Sequence, residues 1–261
     1  MRQDRATNPG PPVLPLVKQI ITVGGKDGVP QGGPFSPLAA NISLNEVDWL
    51  FDAIRRKTAE GAYEAVNYPR FADDIVITGS GHHTKRGWAE RALPRVREQF
   101  ARIGVEWNQE KTKVVDAWKG EAFGFLGFDL RRVRKRNGEG YFLWMTPKKK
   151  ARKPVQAKIR DILARGGATP TPDLVKQVNA TLAGWVNYFR VGNSSRGFSE
   201  VRDYVEMKIR TLLTRRKRRR KSSGGWRRWR KEYLSDVLGL YGDWKIQPLP
   251  GDWGGEVKVA V

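Results

Sequence analysis

Tyr68-Pro69-Arg70-Phe71-Ala72-Asp73-Asp74-Ile75-Val76-Ile77-Thr78 sets two adjacent carboxylates between apolar, β-prone runs. The runs Glu64 to Phe71 and Ile75 to Thr78 read as the strands of a hairpin, with Ala72-Asp73-Asp74 at its tip. Adjacent carboxylates at a tight turn repel each other, and a divalent cation beside them relieves that cost. A plain solvated turn would carry the same pair. The apolar flanks argue for a rigid mount, which a metal site needs.

Working outward, the segment Gly24-Gly25-Lys26-Asp27-Gly28-Val29-Pro30-Gln31-Gly32-Gly33-Pro34 is rich in turn formers. Before it, Thr7-Asn8-Pro9-Gly10-Pro11-Pro12 breaks structure, so residues 1–24 read as a loose lead-in. After it, Ser36 as N-cap and Pro37 at the first helical position open a helix through Leu38, Ala39, Ile42, Leu44, Val47 and Leu50 toward Arg55. Beyond the hairpin, Thr84 caps a second helix whose inner face is Ala89, Leu93, Val96, Phe100 and Ile103. Pro94 should bend it and Gly104 should end it. Strand-like stretches follow at Val105-Glu106-Trp107, Lys113 to Trp118, Phe123 to Leu130 and Tyr141 to Met145, with a loop carrying Arg131, Arg132, Arg134, Lys135 and Arg136 among them.

After Thr146-Pro147 the composition turns helical and basic, which places a domain boundary there. Thr171-Pro172-Asp173 starts a helix with Leu174, Val178, Leu182, Trp185 and Phe189 along one face, and another helix covers Phe198 to Leu213. Residues 239–261 form a tail rich in Gly, Pro and Trp. The fold class is therefore α+β: an antiparallel sheet with packed helices over 25–146, then a helical domain over 147–238.

Charge narrows the partners. The net charge is +22, and from Lys148 to Lys231 there are 25 basic residues against 5 acidic, nearly the whole excess. So concentrated a basic surface fits a polyanion, because each phosphate it neutralises releases condensed counterions. Arg215, Arg216, Lys217, Arg218, Arg219, Arg220 and Lys221, followed by Trp226, Arg227, Arg228, Trp229 and Arg230, interleave cations with rings, as phosphate contact plus stacking on RNA requires. A solvated basic helix would share much of that pattern. There is no cysteine, which excludes disulfides and thiol nucleophiles and leaves oxygen donors to hold a metal. No apolar run is long enough to span a bilayer and the start carries no signal peptide, so the expected place is the cytoplasm, with no membrane partner.

Four stretches in order resemble successive reverse transcriptase motifs: Gly28 to Ile42, Phe71-Ala72-Asp73-Asp74, Gly104 to Thr112, and Phe123-Gly124-Phe125-Leu126-Gly127-Phe128. The second is similar to the Tyr-x-Asp-Asp box with Phe71 in the Tyr place, and the fourth to the Phe-Leu-Gly primer grip. Gly184-Trp185-Val186-Asn187-Tyr188-Phe189 resembles the maturase signature of group II intron proteins. The resemblance implies a partial polymerase palm followed by a thumb/maturase domain. It implies RNA-directed DNA polymerase activity and a maturase role in intron splicing and mobility. Its partners would be intron RNA, template-primer nucleic acid and a deoxynucleoside triphosphate. Asp73 would bind catalytic Mg²⁺ with Asp74 assisting. Pro30, Gln31, Gly32, Gly33, Phe71 and Ala72 would line the template and nucleotide pocket, Lys111 would face phosphate, and Leu126 and Gly127 would shape the primer grip. Trp185 and Phe189 are expected in a helix core.

The family pattern also includes an aspartate on an earlier strand and nucleotide-holding fingers, which this sequence does not contain. Asp27 and Asp48 sit in no matching motif. The isolated chain is therefore expected to polymerise little unless a fingers-containing chain or a second copy completes the site. With His82 and His83 its only histidines, no nuclease of the His- and Cys-rich kind is expected within the sequence. A non-catalytic RNA-binding splicing factor that keeps the palm as scaffold is the competing expectation.

Overall fold

The computed structural model describes residues 36–59, 65–72, 74–80, 88–105, 112–216 and 228–247, and single positions 15, 18, 19, 108 and 110. They fall into two compact units, one ending at Lys113 and the other beginning at Val114.

In the first unit, α1 (Ser36–Ala59) buries Leu44, Val47 and Phe51, a stripe spaced three and four residues apart. Leu38 and Ile42, on the same helix, are exposed. Helix α2 (Trp88–Arg102) meets this stripe with Val96 and Phe100, and Ile54, Tyr68, Ile75, Ile77, Ile103 and Val105 close the core. Pro94 lies inside α2. As the sequence implies, Gly104 stops this helix. Its φ is +72°, and the Gly104 and Val105 amides donate to the Ala101 and Phe100 carbonyls at 3.2 and 3.0 Å, pairing orphan carbonyls of the last turn.

The hairpin is a single ribbon in two paired stretches. Strand β1 (Ala65–Asn67) pairs antiparallel with β4 (Thr78–Ser80), and β2 (Arg70–Phe71) with β3 (Asp74–Ile75). Phe71 faces Asp74, which leaves a two-residue loop. Asp74 is thus the first residue of the return strand and not part of the tip, as the sequence reading had it.

The second unit combines a three-stranded antiparallel sheet, β5 (Phe123–Phe125), β6 (Phe128–Arg134) and β7 (Tyr141–Pro147), with α3 (Lys149–Arg165), α4 (Thr171–Phe189) and α5 (Ser195–Arg216). The helices bury Val155, Ile159, Val178, Leu182, Val201 and Ile209 against one another. The sheet lays Phe128 and Leu130 against Val186, Phe189 and Phe198 of α4 and α5. Asn193, in the α4–α5 link, donates its amide to the Met145 carbonyl at 2.7 Å and accepts the Met145 amide at 3.2 Å, stitching that link to β7. The boundary expected after Pro147 therefore falls earlier, because the sheet's apolar face is completed by the helices.

Three local expectations change. Lys113 to Trp118 forms no strand: the Asp116 carboxylate accepts the Trp118 amide and caps a 3₁₀ turn over Ala117–Lys119. Phe123 to Leu130 is two strands, broken at Leu126-Gly127, and Arg131, Arg132 and Arg134 lie within β6 and not in a loop. Residues 239–247, placed in the tail, pack onto the helical unit. Tyr241 and Trp244 join its cores, the Gln247 amide donates to the Arg190 carbonyl at 2.7 Å, and Asn179 ties both Gly239 and Tyr241. No helix among the described residues is long and apolar enough to cross a membrane.

Candidate functional site

The acidic turn is built on an arginine that sequence reasoning did not single out. Arg70, on β2, sends Nε and Nη2 to the two carboxylate oxygens of Asp48 at 2.8 and 2.5 Å. Its Nη1 donates to Asn41 Oδ1 at 2.8 Å and to the Ala72 carbonyl at 3.1 Å. The guanidinium is flat and presents a fixed fork of donors, so one side chain can tie α1 to the turn in a single orientation. Ala72 needs such a tie, because its φ of +53° lies in the left-handed region that a side chain disfavours.

Asp48 also stands beside Tyr68, whose ring stacks on Phe51 with centroids 3.9 Å apart and planes 4° from parallel. Burial, together with the Asp48 charge, pushes the Tyr68 hydroxyl well above its usual range, so it stays protonated. Arg70 is held more firmly protonated by its bonds to Asp48. Asp48 thus spends both carboxylate oxygens on Arg70.

Asp74 emerges from this mount with an exposed side chain. Its carboxylate is the hard oxygen donor that Mg²⁺ prefers. Asp73, its neighbour in the expected pair, lies outside the described residues, as do Pro30, Gln31, Gly32, Gly33 and Lys111. No group of three or more His, Cys, Asp or Glu gathers among the described residues. Phe71 and Ala72 are both exposed, Phe71 at 63%, which leaves that ring open to solvent.

The second turn, Leu126-Gly127, joins β5 to β6, and both residues have positive φ, +47° and +79°. Two successive left-handed residues suit the twist of a tight hairpin, yet the first position here is a leucine. The turn is held from α4: the Tyr188 hydroxyl donates to the Leu126 carbonyl at 3.0 Å. A methyl group built on Gly127 would come within 3.3 Å of the Phe189 ring, so the position is restricted by packing as well as by φ. Phe189 and Phe128 have centroids 4.9 Å apart, and Trp185 lies 5.1 Å from Phe189. Trp185 also donates Nε1–H to the Ala151 carbonyl at 3.1 Å. Trp185 and Phe189 therefore pack inward, while Tyr188, 53% exposed, supports the turn.

The basic run divides by role. Arg215 is exposed. Arg216 is turned inward: its Nη2 donates to the Gly166 and Thr169 carbonyls at 2.6 and 2.5 Å, and its Nη1 to Thr171 Oγ1 at 2.8 Å, bracing the link between α3 and α4. That guanidinium is spent on the protein's own carbonyls. Lys217, Arg218, Arg219, Arg220, Lys221 and Arg227 lie outside the described residues, and Arg228 is exposed. Trp229, expected to stack on RNA, is a core residue 6% exposed, and its carbonyl accepts from buried Arg210 at 2.8 Å.

Comparison with known proteins accords with this arrangement. Residues 19–130 match the reverse transcriptase (RNA-dependent DNA polymerase) family, and residues 152–234 match the group II intron maturase-specific domain. Protein YkfC of Escherichia coli (strain K12) is 32% identical over 149 residues, covering 48% of this chain and 38% of that protein. The chain thus spans well under half the length of this relative.

Proposed function

The chain belongs to the group II intron reverse transcriptase/maturase family, and on that premise we propose that it works as the palm-and-thumb portion of an RNA-directed DNA polymerase that also grips intron RNA. The reading assigns polymer extension to the Ala72–Asp74 turn and nucleic-acid grip to the second unit, acting in the cytoplasm. The observation that carries it is the Arg70 fork, which fixes the backbone of the acidic turn against α1 while leaving Asp74 exposed. Rigid mounting of this kind is what a catalytic carboxylate requires, since small displacements at a reacting centre cost large factors in rate.

Asp73 and Asp74 would hold Mg²⁺, which supplies a lowered pKa for the primer 3′-hydroxyl and neutralises the incoming triphosphate. The chain's own residues do the rest. Phe71 presents a ring without the hydroxyl of a tyrosine, so it contributes stacking and shape but no hydrogen bond there. Leu126 and Gly127 shape the grip on the primer, the turn being held from behind by Tyr188 and Lys148. Arg215 and Arg228, with Lys217 to Lys221 and Arg227 but without the inward-turned Arg216, attract backbone phosphates.

The test is Mg²⁺-dependent primer extension on an RNA template, run with and without an added fingers-containing segment, comparing the native chain with Asp73→Ala and Asp74→Ala. Extension that needs both aspartates is the expected result. Intron RNA binding indifferent to those changes, with no extension under any condition, would leave a purely RNA-binding splicing protein instead.

A further inference from the structure

The end of the sheet in the second unit carries an arrangement that neither the acidic turn nor the basic run uses. Arg132, on β6, lies between two rings, its guanidinium carbon 3.6 Å from the centroid of Trp118 and 3.6 Å from that of Tyr141. Trp118 comes from the 3₁₀ turn and Tyr141 opens β7, so three separate elements build the stack. Arg132 and Tyr141 continue the sheet face that holds Phe128 and Leu130: Arg132 faces Leu143 at the edge of that core, and Tyr141 lies beyond it.

This guanidinium has no carboxylate partner among the described residues, and its Nη1 is buried without a hydrogen-bond acceptor. Burial pulls the group's pKa down, yet an arginine remains cationic in water. Among the described residues its charge meets ring faces and no carboxylate. The rings themselves are open, with Trp118 37% and Tyr141 39% exposed. Around them stand further cations: exposed Lys119 beside Trp118, and exposed Arg134 and Arg136 with half-buried Lys135 where β6 runs into the β6–β7 turn. Asp116 and Glu121 are the acids nearest in sequence to Trp118. Asp116 is already engaged, capping the 3₁₀ turn and lying 4.0 Å from Lys119, and its backbone amide holds the Glu121 carboxylate at 3.0 Å.

We propose that the Trp118–Arg132–Tyr141 stack is a landing platform for an unpaired RNA segment, with a base adding a further layer on an exposed ring and its phosphates meeting Arg134, Lys135 and Arg136. The proposal rests on the RNA-binding reading above. An unpaired strand fits better than a duplex. Its bases have free faces to stack, whereas a helix hides them and offers only phosphates and groove edges. Because every base has such a face, the platform is tolerant of sequence. It stands on the sheet, whereas Arg215 stands at the end of α5, and so it would hold a second point along the same strand.

The test uses the full chain and a short unpaired RNA oligonucleotide carrying 4-thiouridine, with a duplex of the same sequence as control. Ultraviolet cross-linking followed by peptide mapping should place the adduct on Trp118 or Tyr141. Trp118→Leu and Tyr141→Leu, which keep apolar bulk, should each weaken binding of the unpaired oligonucleotide about tenfold while duplex binding and the melting temperature hold. Arg132→Lys, which keeps the charge and loses the flat group, should weaken it as well. Adducts confined to other peptides, or a lowered melting temperature with unchanged affinity in the folded fraction, would reduce the stack to a structural brace and overturn the proposal. A native chain that binds neither RNA would sink the RNA-binding reading beneath it too, which is a separate outcome.

Discussion

Replacing Arg70 by methionine removes the fork while keeping an unbranched stem of similar length. The bonds lost are two to the Asp48 carboxylate, one to Asn41 and one to the Ala72 carbonyl. The Arg70 side chain is 13% exposed and that of Asp48 32%, so the pair sits between the exposed case, worth under about 1 kcal/mol, and the buried case, where breaking one partner costs about 3–5 kcal/mol. Water can reach Asn41 and the Ala72 carbonyl once the arginine is gone, so those two bonds add little. An expected loss of about 2 kcal/mol follows for the first unit. Hydrogen exchange at the Val76 amide, which donates to the Pro69 carbonyl at 3.0 Å inside the ribbon, reads that loss locally. Asp48→Asn should cost nearly as much alone and little more on top of Arg70→Met, giving a coupling energy above about 1 kcal/mol in a double-mutant cycle. Primer extension, measured where the native site is complete, should fall by about two orders of magnitude because the acidic turn loses its fixed position. Additivity of the two substitutions within about 0.5 kcal/mol, or unchanged exchange at Val76, would refute the claim that this fork holds the turn.

Three further outcomes are expected. Gly127→Ala puts a side chain at φ +79° and against the Phe189 ring, so unfolding of the second unit should become easier by about 2 kcal/mol, visible as a lower denaturant midpoint with unchanged slope. Arg216→Ala should destabilise the helical unit by about 1–2 kcal/mol with little change in the salt dependence of RNA binding. Arg215→Ala should do the reverse, lowering the slope of log K against log salt by about 1 and leaving the melting temperature alone. Finally, the Arg190 guanidinium, 3.0 Å away, holds the Asp243 carboxyl below its usual range. A depressed carboxyl binds its proton more readily in the unfolded chain. The clasp is therefore present above the ordinary carboxylate range and lost as pH falls through the lowered folded value. The protection factor of the Gln247 amide, its exchange rate corrected for the intrinsic pH dependence, should fall on acidification in the native chain, and Asp243→Asn should remove that pH dependence.

How much of this was legible depends on whether the signal was local. Gly104 and Thr171-Pro172-Asp173 announce a helix end and a helix start by backbone chemistry alone, and both stand where the sequence puts them. The doublet at Asp73-Asp74 likewise declares a hairpin, although the residue count of its loop followed from pairing and not from composition. The Leu126-Gly127 turn was hidden because leucine carries no turn preference. Its positive φ is sustained by Tyr188, 62 residues away. Arg70 and Asp48 show nothing to a reader of one sequence, since neither lies in a recognisable pattern and their meeting is a product of the fold. Arg216 and Arg215 are chemically identical neighbours, and only helical phase sends one inward. The change of composition after Pro147 marks where charge rises, whereas the unit boundary is set by which apolar faces cover each other.

That last point governs how the protein can be cut and recombined. Strands β5 to β7 share Phe128, Leu130, Phe189 and Phe198 with the helices, and Tyr188 reaches back to Leu126. A chimaera that exchanges helices at Pro147 splits one hydrophobic interior between two parents of unrelated shape. A junction at Lys113 transplants the interior whole, taking the Phe-Leu-Gly turn along with the helix that fastens it.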